Sequence, residues 1–284
     1  MMKRGMLAGV ALMGALWCGT VAAALPAVKP EHAAALERLI DADFLKKGAA
    51  VPRVLVFHRC EGYVHGEAIV TANAAFRLAA ERTGAFTVDF SEDYEALTEE
   101  NLRKYDVLVM NNTTHLKVKE HPFLEQSLPA FVAAGKGYVA LHAGVDTFFD
   151  HPALQEITNG LFAGHPWGAG GTWSFKLTDA QHPINAPFAE TPRFKASDEI
   201  YQHRAPAFDP KKIQALVVLD FDDPEVAKRD GKVRPDSTFY PVTWIKSYGK
   251  GRVFYTSFGH DGRAWTNPKL LRHMFNGFVY AVGP

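Results

Sequence analysis

The sequence predicts an α/β protein, a mostly parallel sheet with helices on both faces and antiparallel strands added in the second half. Three observations carry this. Short β-branched runs alternate with alanine-rich helical stretches through the first half, the signature of βαβ units. Each run breaks off into polar residues, as strands do at the ligand-binding edge of an open sheet. After about residue 172 the runs continue, but long loops rich in Pro, Gly and His separate them.

Residues 26–50 hold a short helical pattern, Leu36, Leu39, Ile40 and Phe44, ending in Lys46-Lys47-Gly48. Pro52 to Phe57 is a β-branched run suited to a buried parallel strand. Glu67 to Arg82 is alanine-rich with Ile69, Phe76 and Leu78 at helical spacing, and Gly84 stops it. Phe86 to Phe90 and Asp106 to Met110 give the next two strands. Pro122 to Ala134 reads as a helix closed by Gly135, and the strand after it delivers His142. Four more strands are expected at Thr172–Thr178, Gln214–Leu219, Val242–Ile245 and Arg252–Thr256. Pro268 to Val282 has the spacing of an amphipathic helix that packs on the sheet.

Lys3 and Arg4, an apolar segment from about Met6 to Val21 and then Ala22-Ala23-Ala24 have the three parts of a secretory signal peptide. Cleavage is expected after Ala24. That leaves a peripheral segment over 25–50 and one domain over 51–284, in a protein exported to the periplasm or beyond the cell. With Cys18 removed, only Cys60 remains, so no internal disulfide is expected and a packed core must supply stability. The 31 basic and 31 acidic residues balance, which gives no electrostatic reason to expect nucleic acid or an anionic membrane as partner. The apolar core of the signal is also too short for a spanning helix, so no integral membrane protein is expected after cleavage.

Polar residues collect where strands end. The first strand runs into His58-Arg59-Cys60-Glu61-Gly62-Tyr63-Val64-His65, the third into Asn112-Thr113, and the fourth into His142-Ala143-Gly144-Val145-Asp146. A parallel sheet brings these ends to one edge, where they can line a crevice. Further on come Gly164-His165-Pro166-Trp167, then Asp198-Glu199-Ile200-Tyr201, and a strand ending in Gly259-His260. Histidines mixed with carboxylates suit either general acid/base chemistry or a divalent metal ion. The spacing does not choose between them, because no tight signature such as His-Glu-x-x-His is present. The turn at His142 is similar to a nucleophile elbow with imidazole in place of Ser or Cys, which removes acyl transfer of the amidotransferase kind.

Taken together, Gly62-Tyr63-Val64-His65, Asn112-Thr113-Thr114, Leu141-His142-Ala143-Gly144-Val145-Asp146-Thr147, Phe162-Ala163-Gly164-His165-Pro166, His182-Pro183, Asp198-Glu199-Ile200-Tyr201 and Gly251 through His260 resemble the ThuA-like, or trehalose-utilisation, family. The resemblance covers about residues 52–283. It implies the flavodoxin-like fold of the class I glutamine amidotransferase-like superfamily. It also implies a place in carbohydrate catabolism, including use of trehalose and related disaccharides through 3-keto sugars. Position by position it puts the site at His65, His142, Asp146, His165, Glu199 and His260. One departure is Tyr240-Pro241, where many relatives have His-Pro before the tryptophan.

The leading expectation is an exported enzyme that moves protons on a sugar or 3-keto-glycoside. His142 would be the base, held by Asp146, with Glu199 or His260 as the complementary acid. His58, Asn112, Thr113, Tyr63, Tyr201 and Trp167 are expected to bind the sugar, the aromatics together with Trp265 by stacking. Two other readings use the same crevice. One is a carbohydrate-binding accessory protein without catalysis, and the other is a metal-dependent hydrolase with a divalent ion held by His65, His142, His260 or Glu199.

Overall fold

The computed structural model describes residues 25–228 and 239–283. The signal segment expected over 1–24, with Cys18, lies outside them. Nine strands form one sheet: β1 (Arg53–Phe57), β2 (Thr87–Ser91), β3 (Val107–Asn111), β4 (Gly137–Leu141), β5 (Thr172–Leu177), β6 (Arg193–Ser197), β7 (Gln214–Leu219), β8 (Pro241–Tyr248) and β9 (Gly251–Thr256). Their order is β2-β1-β3-β4-β9-β8-β7-β5-β6. The first five are parallel, and β8, β7, β5 and β6 add antiparallel pairs. The parallel half has the flavodoxin order, with β9 as its fifth strand. Of the second-half strands expected to be antiparallel additions, β9 is therefore different. It pairs with β4 in parallel, Leu141 opposite Thr256, and with β8 antiparallel.

The helices are α1 (Pro30–Leu39), α2 (Gly66–Thr83), α3 (Glu99–Leu102), α4 (Leu124–Ala133), α5 (Pro152–Thr158), α6 (Pro224–Ala227), α7 (Gly262–Thr266) and α8 (Pro268–Val282). Side chains alternate faces along a strand, so β1 serves two cores. Val54 and Val56 pack with Ala72 and Phe76 of α2 and Phe275 and Phe278 of α8. Leu55 and Phe57 pack on the other face with Leu102, Leu124 and Leu154 of α3, α4 and α5. The strands of the parallel centre are consequently buried on both faces, which is why they read as unbroken apolar runs. Helix α2 ends at Gly84, whose φ of 59° and N–H to the Ala80 carbonyl form a left-handed C-cap. Helix α1 stops at Ile40, short of the expected Gly48, because the Asp41–Phe44 turn intervenes while Phe44 still reaches the core. Among the described residues no helix is long and apolar enough to cross a membrane.

The β8–β9 hairpin passes close under α4. A Cβ on Gly251 would run into the carbonyl oxygens of Val132 and Lys136, and neither backbone group can yield cheaply. Gly251→Ala is therefore expected to cost roughly 2–3 kcal/mol. The same change at Gly168, which has open space around it, should stay within about 0.5 kcal/mol. Urea denaturation of the two variants beside the parent checks the contrast.

Candidate metal centre

His142 stands where β4 ends and the chain enters a single 3₁₀ turn over His142–Val145. Its φ of 46° is left-handed, a conformation that non-glycine side chains seldom adopt. The turn closes only with a small residue at Gly144, where a Cβ would lie 3.0 Å from both Ala140 and the Met110 carbonyl. The His142 ring is fully buried, and its Nδ1 lies 2.6 Å from the Ser257 carbonyl oxygen. A carbonyl only accepts, so Nδ1 carries the proton and Nε2 is left with a bare lone pair.

Three groups meet that lone pair. His65 is delivered by the loop after β1, just before α2, and its buried Nδ1 has no hydrogen-bond partner among the described residues. His260 follows β9 through Gly259, whose φ is 110°, and its Nδ1 lies 3.2 Å from His142 Nε2. Glu199 follows β6, and its Oε1 lies 3.7 Å from His142 Nε2 and 3.4 Å from His260 Nδ1. One ligand atom from each of His65, His142, Glu199 and His260 falls within 4.8 Å of the others. The His65 ring stands edge-on to both His142 and His260, with centroids 4.9 and 5.0 Å away. Three imidazoles and a carboxylate form the donor set of a borderline divalent ion such as Zn²⁺.

The electrostatics fit that use. Burial, reinforced by His142 and His260, drives the His65 imidazole down to about 2, so it stays neutral and able to ligate. Burial would raise Glu199, but the neighbouring His142 and His260 imidazoles hold it well below the carboxylate range. His260 is raised, because Glu199 outweighs the cost of burial. The pocket thus contains a permanent anion and crowds its imidazoles too closely for all to be protonated.

A second carboxylate holds the scaffold. Asp198 is buried, and its oxygens accept from the backbone N–H of Glu199 at 2.9 Å, Gly259 at 2.7 Å and His260 at 3.2 Å. It fastens the loop carrying Glu199 to the loop carrying His260. Burial lifts its carboxyl to about 6, against the opposing pull of His142 and the backbone N–H groups. The same loop is tied down by Tyr201 N–H to Ser257 Oγ at 2.9 Å and by an Ile200 bridge to Trp167. The sequence places Asp198 beside Glu199 without giving it a role, and it gives no sign of Ser257. The only signal for Asp198 was a second acid directly before Glu199.

The other expected residues separate into groups. His165 is exposed beside the centre, its Nδ1 3.3 Å from Glu199 Oε2. Tyr63 is 68% exposed and sets its ring edge-on to His65, at 4.7 Å. Tyr201 is buried, with its ring 4.3 Å from that of His142 and 4.5 Å from Phe162. Asn112 is buried near Gly259, and its Oδ1 has no partner among the described residues. Several expectations need correction. Asp146 does not hold His142, whose ring is held by the Ser257 carbonyl; Asp146 Oδ1 instead lies 3.7 Å from His115 Nε2. Trp167 and Trp265 have no exposed surface and cannot stack on a sugar, and the Trp167 indole donates to the Val226 carbonyl. Thr113 is buried and hydrogen-bonded to Thr147, so it is a structural residue. His58 sits toward β2, with its N–H on the Ser91 carbonyl and its imidazole lowered by burial beside Glu92. Cys60 donates to the Asn112 carbonyl at 3.2 Å, and burial pushes its thiol up, opposite to what a nucleophile needs. Tyr240, at the family departure, stacks on Phe221 and packs against Trp167.

Sheet order and turn together define a flavodoxin-like α/β protein whose central strand β4 ends in a buried histidine. The family model described as trehalose utilisation, ThuA, matches residues 53–281, and the chain belongs to that family. Among solved structures, a ThuA-like protein of Bacteroides uniformis is similar, with a TM-score of 0.62 at 21% identity over 81% of this chain and 92% of its own. A ThuA-like protein of Parabacteroides merdae gives a TM-score of 0.59 at 17% identity over 82% and 91%. A search of curated protein sequences finds no match. At these identities the structural likeness speaks to the fold.

Proposed function

We propose that this chain is an exported, divalent-metal-dependent enzyme that acts on a carbonyl-bearing sugar, of the 3-keto-glycoside class, in disaccharide breakdown. The observation that carries the reading is the convergence of His65, His142, His260 and Glu199 at one sheet edge. The trehalose-utilisation family supports the substrate class. A divalent ion bound there would polarise the ketone oxygen and acidify the neighbouring C–H. His142 presents Nε2 because its Nδ1–H donates to the Ser257 carbonyl, and Glu199 supplies negative charge. With the three imidazoles engaged, the proton falls to another group. Asp146, whose carboxyl burial lifts to about 7, is suited to take it. Removing the proton beside the ketone sends its electron pair into a new C=C bond and expels the glycosidic oxygen, which is protonated as it leaves.

The test is turnover of 3-keto-trehalose by protein purified without chelator, after metal removal, and after metal is restored. About one bound ion per chain is expected, with activity lost on removal and regained on restoration. Full turnover by metal-free protein would overturn the reading.

Asp146 also gives a pH signature in stability. Its folded carboxyl sits above the ordinary value, so folding favours the protonated form. The resulting stability is complete below about pH 4 and is lost as pH rises through about 7, a swing on the order of 4 kcal/mol. The titratable and charged groups that face it are His115, Arg204 and the Tyr201 phenol. Asp146→Asn is expected to flatten this part of the profile, leaving the variant more stable than the parent at pH 8 and much less active. Chemical denaturation at pH 5 and pH 8 checks it.

A further inference from the structure

The same sheet edge carries a second concavity. A cavity of about 270 Å³ opens between the loops after β3 and β4, lined by His115, Lys117, Lys119, Thr147, Phe149 and His151. The segment that begins at His142 in the metal centre supplies part of its lining, from Thr147 to His151. The Tyr201 ring lies 4.3 Å from that of His142. Asp146, buried, with no hydrogen bond to Oδ1, lies 3.7 Å from His115. The His115 ring rests 4.7 Å from Phe149, and the guanidinium of Arg204, five residues beyond Glu199, lies 5.0 Å from the same phenyl ring. The loop that ends in His65 also reaches His115. Its Gly62 lies so close to the His115 ring that a Cβ would sit 2.6 Å from Cδ2.

We propose that this cavity is a second sugar subsite, which receives the leaving half of a disaccharide while the oxidised half lies at the metal centre. The inference rests on the function proposed above and extends it to the size of the substrate. The volume lies just below the range of pockets for drug-sized ligands, which suits a single ring. Phe149 and His115 offer the ring faces against which a sugar packs its C–H groups. Lys119 and Asp150 border these faces with groups that can hydrogen-bond hydroxyls. Asp146, four residues on from His142, lies beside His115 of the cavity wall.

The test compares binding of 3-keto-trehalose and 3-keto-glucose to the metal-loaded protein by calorimetry. The parent is expected to prefer the disaccharide. Phe149→Ala should weaken 3-keto-trehalose by about tenfold and 3-keto-glucose by less than about twofold, with metal content unchanged. Phe149→Tyr, which keeps a ring face and the fold, should restore the difference. Equal weakening of both sugars, or of neither, overturns the subsite and leaves the metal-dependent reading standing. A parent that binds the two sugars equally has the same consequence. If the parent binds neither sugar, the subsite and the proposed substrate class fall together.

Discussion

His142→Asn is expected to abolish the bound ion and the activity while leaving the fold in place. Asparagine tolerates the left-handed backbone at this position, and its amide can still donate to the Ser257 carbonyl. What it removes is Nε2. Loss of an outer-sphere partner alone weakens metal sites by about 10–100-fold, so loss of a direct ligand should exceed that. Elemental analysis and a competition titration with a chromophoric chelator measure it, beside a thermal melt. A variant that binds metal like the parent would remove His142 from the centre.

Asp198→Ala should be the most damaging single change near the site. It strips the acceptor from three backbone N–H groups, those of Glu199, Gly259 and His260, in a buried place where water cannot replace it. A buried donor left unpaired costs about 1–3 kcal/mol, so a loss of roughly 3–5 kcal/mol is expected after partial relaxation. Metal binding should fail as well, because the two loops that Asp198 joins carry two of the four ligands. Asp198→Asn gives the informative intermediate. One oxygen still accepts while the amide nitrogen opposes another N–H, so both stability and metal affinity should fall between those of the parent and the alanine variant. Denaturant melts with and without added Zn²⁺ separate the two effects.

The parallel strands were legible because burial on both faces leaves uninterrupted apolar runs such as Val107–Met110. Strand β6 was not, since Arg193 and Lys195 on an edge strand with an exposed face look like loop. The parallel pairing of β9 with β4 was hidden for another reason. It joins segments more than a hundred residues apart, and a local pattern says nothing about which neighbour a strand will choose. At the site, His65, His142 and His260 could be named from strand ends alone, because topology carries those ends to one edge. The true partner of His142 could not be, because a backbone carbonyl such as that of Ser257 leaves no mark in side-chain chemistry. Trp167 misled in the opposite direction: a tryptophan beside Pro166 reads as part of an exposed loop, yet the chain folds that loop inward and buries the indole completely.

The position of β9 also bears on the order in which the molecule can assemble. The strand at the middle of the sheet is among the last to be synthesised, and the run from β5 to β8 must find its place on one side of it while β4 waits on the other. Such long-range closure slows folding, and it postpones the arrival of His260 beside His142 until nearly the whole chain is available. A chain truncated before β6 would lack both Glu199 and His260 and keep only His65 and His142. Tight uptake of a divalent ion would therefore report that synthesis and folding are complete, and stopped-flow refolding in the presence of Zn²⁺ should show the metal signal appearing with the slowest structural phase.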